Sequence, residues 1–200
     1  MGSYYYLMAQ LPCIIYEQKP PMSSESFREL ALSFLTKEDC AILSSIPRTV
    51  YSSDDDVKTE LTVTSTGCAF IDKWHEWERT LKLNMARERA IKLKRAKTSI
   101  AEPPVIPADA ASAAIKAVVG DGSPLKKEIS LDKARWTTIE ILAGNDYFHR
   151  NNVFAYYLKL ILLERRQLFK AEVGFAEYKS IYSKIIENSH YSTDYSGVSK

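Results

Sequence analysis

Apolar positions along this 200-residue chain recur at intervals of three and four rather than two, the period of helices with one buried face. Phe70, Trp74, Trp77 and Leu81 keep that spacing and predict a long helix reaching about Lys97. Phe27, Leu30, Ala31, Phe34 and Leu35 form an earlier stripe, with Ser26 and Glu29 placed as a capping box. Thr36 and Asp39 repeat the capping signal ahead of Ala41, Ile42, Leu43 and Ile46. The alanine-rich stretch 108–119 predicts a further helix that stops at Gly120. Ser123 followed by Pro124 marks a helix start, and Ser130 is placed to cap 131–143, which Gly144 closes. Val153, Phe154, Tyr157, Leu158, Ile161 and Leu162 line one side of a helix running to about Lys170. Phe175, Tyr178, Ile181, Tyr182, Ile185 and Ile186 line the last.

Strand signals are few. Val50, Tyr51, Thr62, Val63 and Thr64 favour extended backbone, and the run Asp54, Asp55, Asp56 interrupts them. This region reads as an excursion between helices with a short hairpin. The opening 4–10 suits either strand or helix and is assigned helix, since turn glycines are absent there.

Proline punctuates the pattern. Pro103, Pro104 and Pro107 stop any helix from crossing 99–109, because proline lacks the N–H and clashes with the preceding turn. The expected organisation is an N-terminal helical bundle over 1–98 with a long basic helix, and a proline-rich linker over 99–109. A C-terminal helical bundle over 110–188 and a flexible tail over 189–200 follow. The expected class is all-α with two helical bundles.

Composition fits a folded globular chain, with 46% hydrophobic and 26% charged residues. Lys and Arg number 27 against 25 Asp and Glu, a net charge of +2. Taken whole, that gives no case for nucleic acid or a membrane surface. Position changes the picture. Residues 82–97 hold seven basic side chains against Glu88 alone, a local +6, and the remaining 20 basic and 24 acidic residues give −4. Arg87, Arg89, Lys92, Lys94 and Arg95 are the candidate partner-binding residues, with Leu83, Ala86, Ala90, Ile91 and Leu93 left to pack. An acidic protein surface is favoured over nucleic acid, because the nearby aromatics are committed to packing.

Signals for chemistry are weak. Cys13, Cys40 and Cys68 are odd in number and far apart, and read as reduced, mostly buried small hydrophobes. Around Gly120 and Gly122 a Walker-type Gly-Lys-Ser/Thr is missing, so the turn reads as a helix connection rather than a phosphate cradle. His75, His149 and His190 are scattered, and Trp74-His75-Glu76-Trp77 is not a zinc motif. Glu60, Asp72, Glu76 and Glu78 are candidates to pair in space. Trp74 and Trp77 read as core. Tyr4, Tyr5 and Tyr6 are consecutive and cannot all face one core, so at least one meets another element or a partner. No cofactor or metal is expected. The opening lacks the basic region of a secretory signal. The apolar run 154–163 contains Lys159 and falls short of the roughly 20 residues a bilayer span needs.

The phrases SYYYLMAQLP (3–12), PMSS (21–24), FREL (27–30) and LTKED (35–39) resemble an uncharacterised bacterial family encoded in V-type ATPase operons. The segment NNVFAYYLKL (151–160) is similar to helical segments of the C-type subunit of V-type ATPases, known as the d-type in eukaryotes. The resemblance implies an all-helical, non-catalytic subunit that couples the central stalk to the membrane rotor ring during ion transport. It also implies a cytoplasmic position, peripheral on the inner face of the plasma membrane, held by other V-type ATPase subunits. The C-type subunit has three similar bundles, and this chain has room for two. The alternative reading is a helical adaptor or nucleic-acid-binding module that uses the basic helix. A third is an enzyme with an unrecognised site around His75, His149 or the carboxylates.

Overall fold

The computed structural model describes residues 4–46, 65–93, 123–169 and 171–194, and the regular elements among them are all helices. They are α1 (Tyr5–Gln10), α2 (Ser24–Leu32), α3 (Lys37–Ser45), α4 (Ala69–Lys92), α5 (Pro124–Ala143), α6 (Arg150–Leu168) and α7 (Ala171–Asp194). The all-α class expected from the sequence holds. The hairpin excursion and the alanine-rich stretch 108–119 lie outside the described residues, apart from Ser65 and Thr66, which are irregular.

Capping fixes where several helices begin. Thr36 caps α3 as expected, its hydroxyl accepting from the Asp39 amide at 3.3 Å. Ser123 caps α5 in the same way, and Pro124 takes the first helical position, where its missing N–H costs nothing. Two expectations need correction. The cap of α2 is Ser23, whose hydroxyl accepts from the Ser26 amide at 3.0 Å, so the helix starts before the predicted Ser26–Glu29 box. Ser130 caps nothing, because α5 runs unbroken from Pro124 through it. Gly144 does end α5, at a φ of +76° that side chains with a Cβ rarely adopt.

Contacts divide the chain into two units, Met1–Glu164 and Arg165–Lys200. The first has α6 at its centre. Ten of the eleven residues from Val153 to Leu163 are buried, and Lys159 is the exception. A helix apolar all round belongs inside a core, so the one-sided stripe expected here understates its burial. Phe27 of α2 stacks on both Tyr156 and Tyr157, with ring centroids 5.1 and 5.9 Å apart. The Tyr156 hydroxyl donates to the Pro12 carbonyl at 2.8 Å. Lys159 lies over the Trp136 ring of α5 and bonds Glu140 at 3.0 Å. The expected helix through Phe70, Trp74, Trp77 and Leu81 is α4; all four are buried, and α4 packs on α5.

One apolar cluster draws on α1 to α6 together. The helices on either side of 99–109 thus contribute to one cluster and one unit. The apolar faces of α4 and α5 close on each other. The proline-rich segment itself lies outside the described residues.

The second unit holds the end of α6 and all of α7. Helix α7 continues to Asp194, past position 189 where the flexible tail was expected to begin. Of its apolar stripe, Phe175, Tyr178, Ile181, Tyr182 and Ile185 are each 54–61% exposed.

Candidate functional site

The first polar constellation joins distant parts of the first unit. Tyr4 precedes α1, Asp39 sits in the first turn of α3, and Arg150 opens α6. Asp39 is only 3% exposed. Its Oδ2 accepts from the hydroxyls of Tyr4 and, at 3.1 Å, Thr36. Its Oδ1 accepts from Arg150 Nη1 at 3.3 Å. The Tyr4 amide donates to the Phe148 carbonyl at 2.8 Å, which brings the chain start beside α6. Burial, reinforced by the hydrogen bond to Asp39, raises the Tyr4 pKa above its ordinary value and keeps its proton in place. A cation at a helix N-terminus opposes the macrodipole, and Asp39 offsets this for Arg150. The tyrosine run divides as anticipated: Tyr4 points inward, Tyr5 lies on Phe148 at 4.5 Å, and Tyr6 is 81% exposed.

The second constellation lies between α4 and α5. Arg135, 2% exposed, donates from Nε to Glu78 at 2.6 Å and from Nη1 to Asp132 at 3.2 Å. Trp77 Nε1 and Thr138 Oγ1 are buried nearby in sequence and have no hydrogen-bond partner among the described residues. The ion network ties the two helices, because one buried guanidinium is shared by a carboxylate from each. Glu78 is thus an arginine partner.

The remaining candidates stand apart. Asp72 accepts from the Thr66 amide and hydroxyl, both at 2.8 Å, and from Ser65 at 2.9 Å. Partial burial works against ionisation, but these bonds and the charge of His75 outweigh it and hold the Asp72 pKa below its ordinary value. Glu76 and His75 are exposed on α4. The His149 ring accepts from the Asn151 amide at 3.2 Å. Glu60 and the His190 side chain lie outside the described residues. Trp74 and Trp77 stack on each other in the core at 5.5 Å. Cys68 is buried, but Cys40 is half-buried and Cys13 exposed, so the expectation of mostly buried cysteines holds for one. Among the described residues, no group of three or more His, Cys, Asp or Glu is placed to hold a metal ion. Nor is any described helix long and apolar enough to cross a membrane.

Of the basic candidates, Arg87 is half-buried and Arg89 exposed near the end of α4. The Lys92 side chain, Lys94 and Arg95 lie outside the described residues. Ala90 packs as expected, whereas Ile91 and Leu93 are exposed.

Sequence reasoning missed Arg135, Arg150 and Glu164. The last accepts from both the amide and the hydroxyl of Ser24, each at 2.6 Å, and so closes the first turn of α2 from α6. The Asp132–Arg135 spacing of three was a visible signal. The partners of Arg150 and Glu164, 111 and 140 positions away, were not.

No protein-family model, curated protein or solved structure matches the chain.

Proposed function

We propose that this chain is a non-catalytic coupling component of a bacterial V-type ATPase, similar to its C-type subunit, acting between the central stalk and the membrane rotor ring. The observation that supports it is the meeting, at the buried Asp39 carboxylate, of two phrases that resemble the operon family with the residue that precedes the segment similar to the C-type subunit. SYYYLMAQLP supplies Tyr4, LTKED supplies Thr36 and Asp39, and NNVFAYYLKL follows directly on Arg150. Their polar side chains clamp helices to one another, the work expected of residues in a rigid connector. The basic end of α4 supplies a grip for an acidic protein surface in the complex through Arg87 and Arg89.

The test is co-purification from intact membranes with the catalytic complex and the rotor ring, with the neighbouring genes as a quick check. Association that weakens when Arg87 and Arg89 are changed to Glu is the expected result. Failure to co-purify, with no ATPase genes adjacent, would sink the reading. A shift of DNA or RNA at low salt, lost in the same variant, would favour the adaptor reading instead.

A further inference from the structure

Residues 11–23 cross from α1 to α2 without regular structure and are strapped to α5 and α6 at three points. The Tyr16 hydroxyl donates to the Ile129 carbonyl at 3.2 Å, and its ring meets Trp136 edge-on at 5.3 Å. The Tyr156 hydroxyl donates to the Pro12 carbonyl. At the far end the half-buried Met22 packs on the core, with its sulfur 3.9 Å from that same hydroxyl. Tyr156 is 6% exposed and has one proton for two acceptors. The carbonyl, at 2.8 Å, holds it, because a thioether is a weak acceptor.

We propose that Met22 is a reversible oxidation site, at which a peroxide converts the thioether to a sulfoxide that takes the Tyr156 proton and frees the Pro12 end of the strap. The reaction balances with hydrogen peroxide alone: its O–O bond breaks, one oxygen bonds to sulfur, sulfur gives up two electrons and water leaves. A dithiol, acting through methionine sulfoxide reductases, reverses it and leaves a disulfide and water. Three observations select Met22. It is partly open to solvent, whereas Met8 is 2% exposed and shut away from a small oxidant. It stands outside any helix, unlike Met85 of α4, so a change there breaks no backbone ladder. Its sulfur already lies beside the donor, and a sulfoxide oxygen set between the two atoms comes within hydrogen-bond reach of the hydroxyl. That oxygen is a far stronger acceptor than the sulfur, and one proton cannot serve it and the Pro12 carbonyl together. Pro12 is exposed, so its carbonyl turns to water at little cost. The device is independent of the coupling role.

The experiment uses the full chain with Cys13, an exposed thiol on the same strap, changed to Ser so that it does not compete for oxidant. Hydrogen peroxide is added in steps. Mass spectrometry reads the oxygen gained at each methionine, and hydrogen exchange reads the amides of 13–18. Met22 should gain one oxygen before Met8 does. Exchange in 13–18 should then rise about fivefold, the factor that one net hydrogen bond confers. It should return to its first value after treatment with both methionine sulfoxide reductases and a dithiol. Met22→Leu should remove the response to peroxide. Met22→Gln supplies a permanent amide oxygen and should show the fast exchange with no peroxide. In Tyr156→Phe the strap should exchange fast from the start and gain nothing on oxidation. Oxidation of Met8 as readily as Met22 overturns the site. So does a Met22 sulfoxide that leaves exchange in 13–18 unchanged or slowed, or the same rise in Met22→Leu. The first two results are read with Met22 and Tyr156 unaltered, so they decide the matter even where a variant fails to fold.

Discussion

The Tyr4 hydroxyl donates to one oxygen of Asp39 while Arg150 holds the other, so a single buried carboxylate ties the start of the chain to α3 and α6. Tyr4→Phe removes one of three side-chain donors and should cost about 1 kcal/mol. Asp39→Ala strands the Tyr4 hydroxyl and Arg150 together. It should cost about 3 kcal/mol, the low end for a broken buried pair because Arg150 is 30% exposed. Urea unfolding of both variants measures this. An Asp39→Ala cost no larger than that of Tyr4→Phe would refute the shared node.

Arg135 presents a harsher case, since both of its acidic partners are buried with it. Arg135→Met should destabilise by about 3–5 kcal/mol, because it leaves Glu78 and Asp132 without their counter-charge. The triple change that also converts Glu78 and Asp132 to Leu should recover much of that loss. Thermal unfolding of the two variants decides it. A single variant as stable as the native chain would mean that the network contributes no cohesion between α4 and α5.

Tyr156 sets an alkaline limit. Burial pushes its pKa up to about 12 from the ordinary 10.0, with the charges of Tyr147 and Cys13 adding to the rise. The folded chain therefore holds the proton more tightly than the unfolded chain does. The resulting stability is full below pH 10 and declines as pH climbs from 10 to 12. Relative to Tyr156→Phe, the native chain should lose stability across that window. Urea midpoints at pH 9 and pH 11 test it, and an unchanged difference between the two chains would contradict the assignment.

Glu164 places a carboxylate at the N-terminal end of α2, where free amides and the macrodipole both favour an anion. Glu164→Ala should cost about 1–2 kcal/mol, comparable to the loss of a cap. The Ser24 amide should then exchange its hydrogen markedly faster. Native-like protection of that amide in the variant would show that water replaces the carboxylate without loss.

How much of this was legible follows from the range of each signal. Phe70, Trp74, Trp77 and Leu81 announce α4 because the period that spaces them also buries them. Thr36 with Asp39, and Ser123 with Pro124, are read correctly because a cap and its target lie three residues apart. The start of α2 is misplaced because Ser23, Ser24 and Ser26 are all competent caps, and the local pattern does not register the contact of Glu164 with Ser24. Ser130 misleads for a related reason: a serine tolerated inside a helix looks the same as one that starts it. The burial of 153–163 on every side but that of Lys159 is hidden by the Tyr156 hydroxyl, a polar group whose acceptor is the distant Pro12 carbonyl. In α7 the apolar period promises a covering surface without saying whether the chain provides one. Among the candidate partner residues, Arg87 and Arg89 were visible as a charge run, whereas the node at Asp39 needed the fold to assemble it.

The central place of α6 also bears on how the molecule comes into being. Its bonds to Pro12, Ser24 and Asp39 bridge 144, 140 and 111 positions. Synthesis proceeds from the N-terminus, so α1, α2 and α3 emerge long before the helix they close upon. Contacts at such separations make folding slow, and the early helices must wait with Phe27 and Leu43 uncovered. A nascent chain halted before residue 150 lacks the ten buried residues of α6 on which the earlier helices close, so that helix is the part that completes the core.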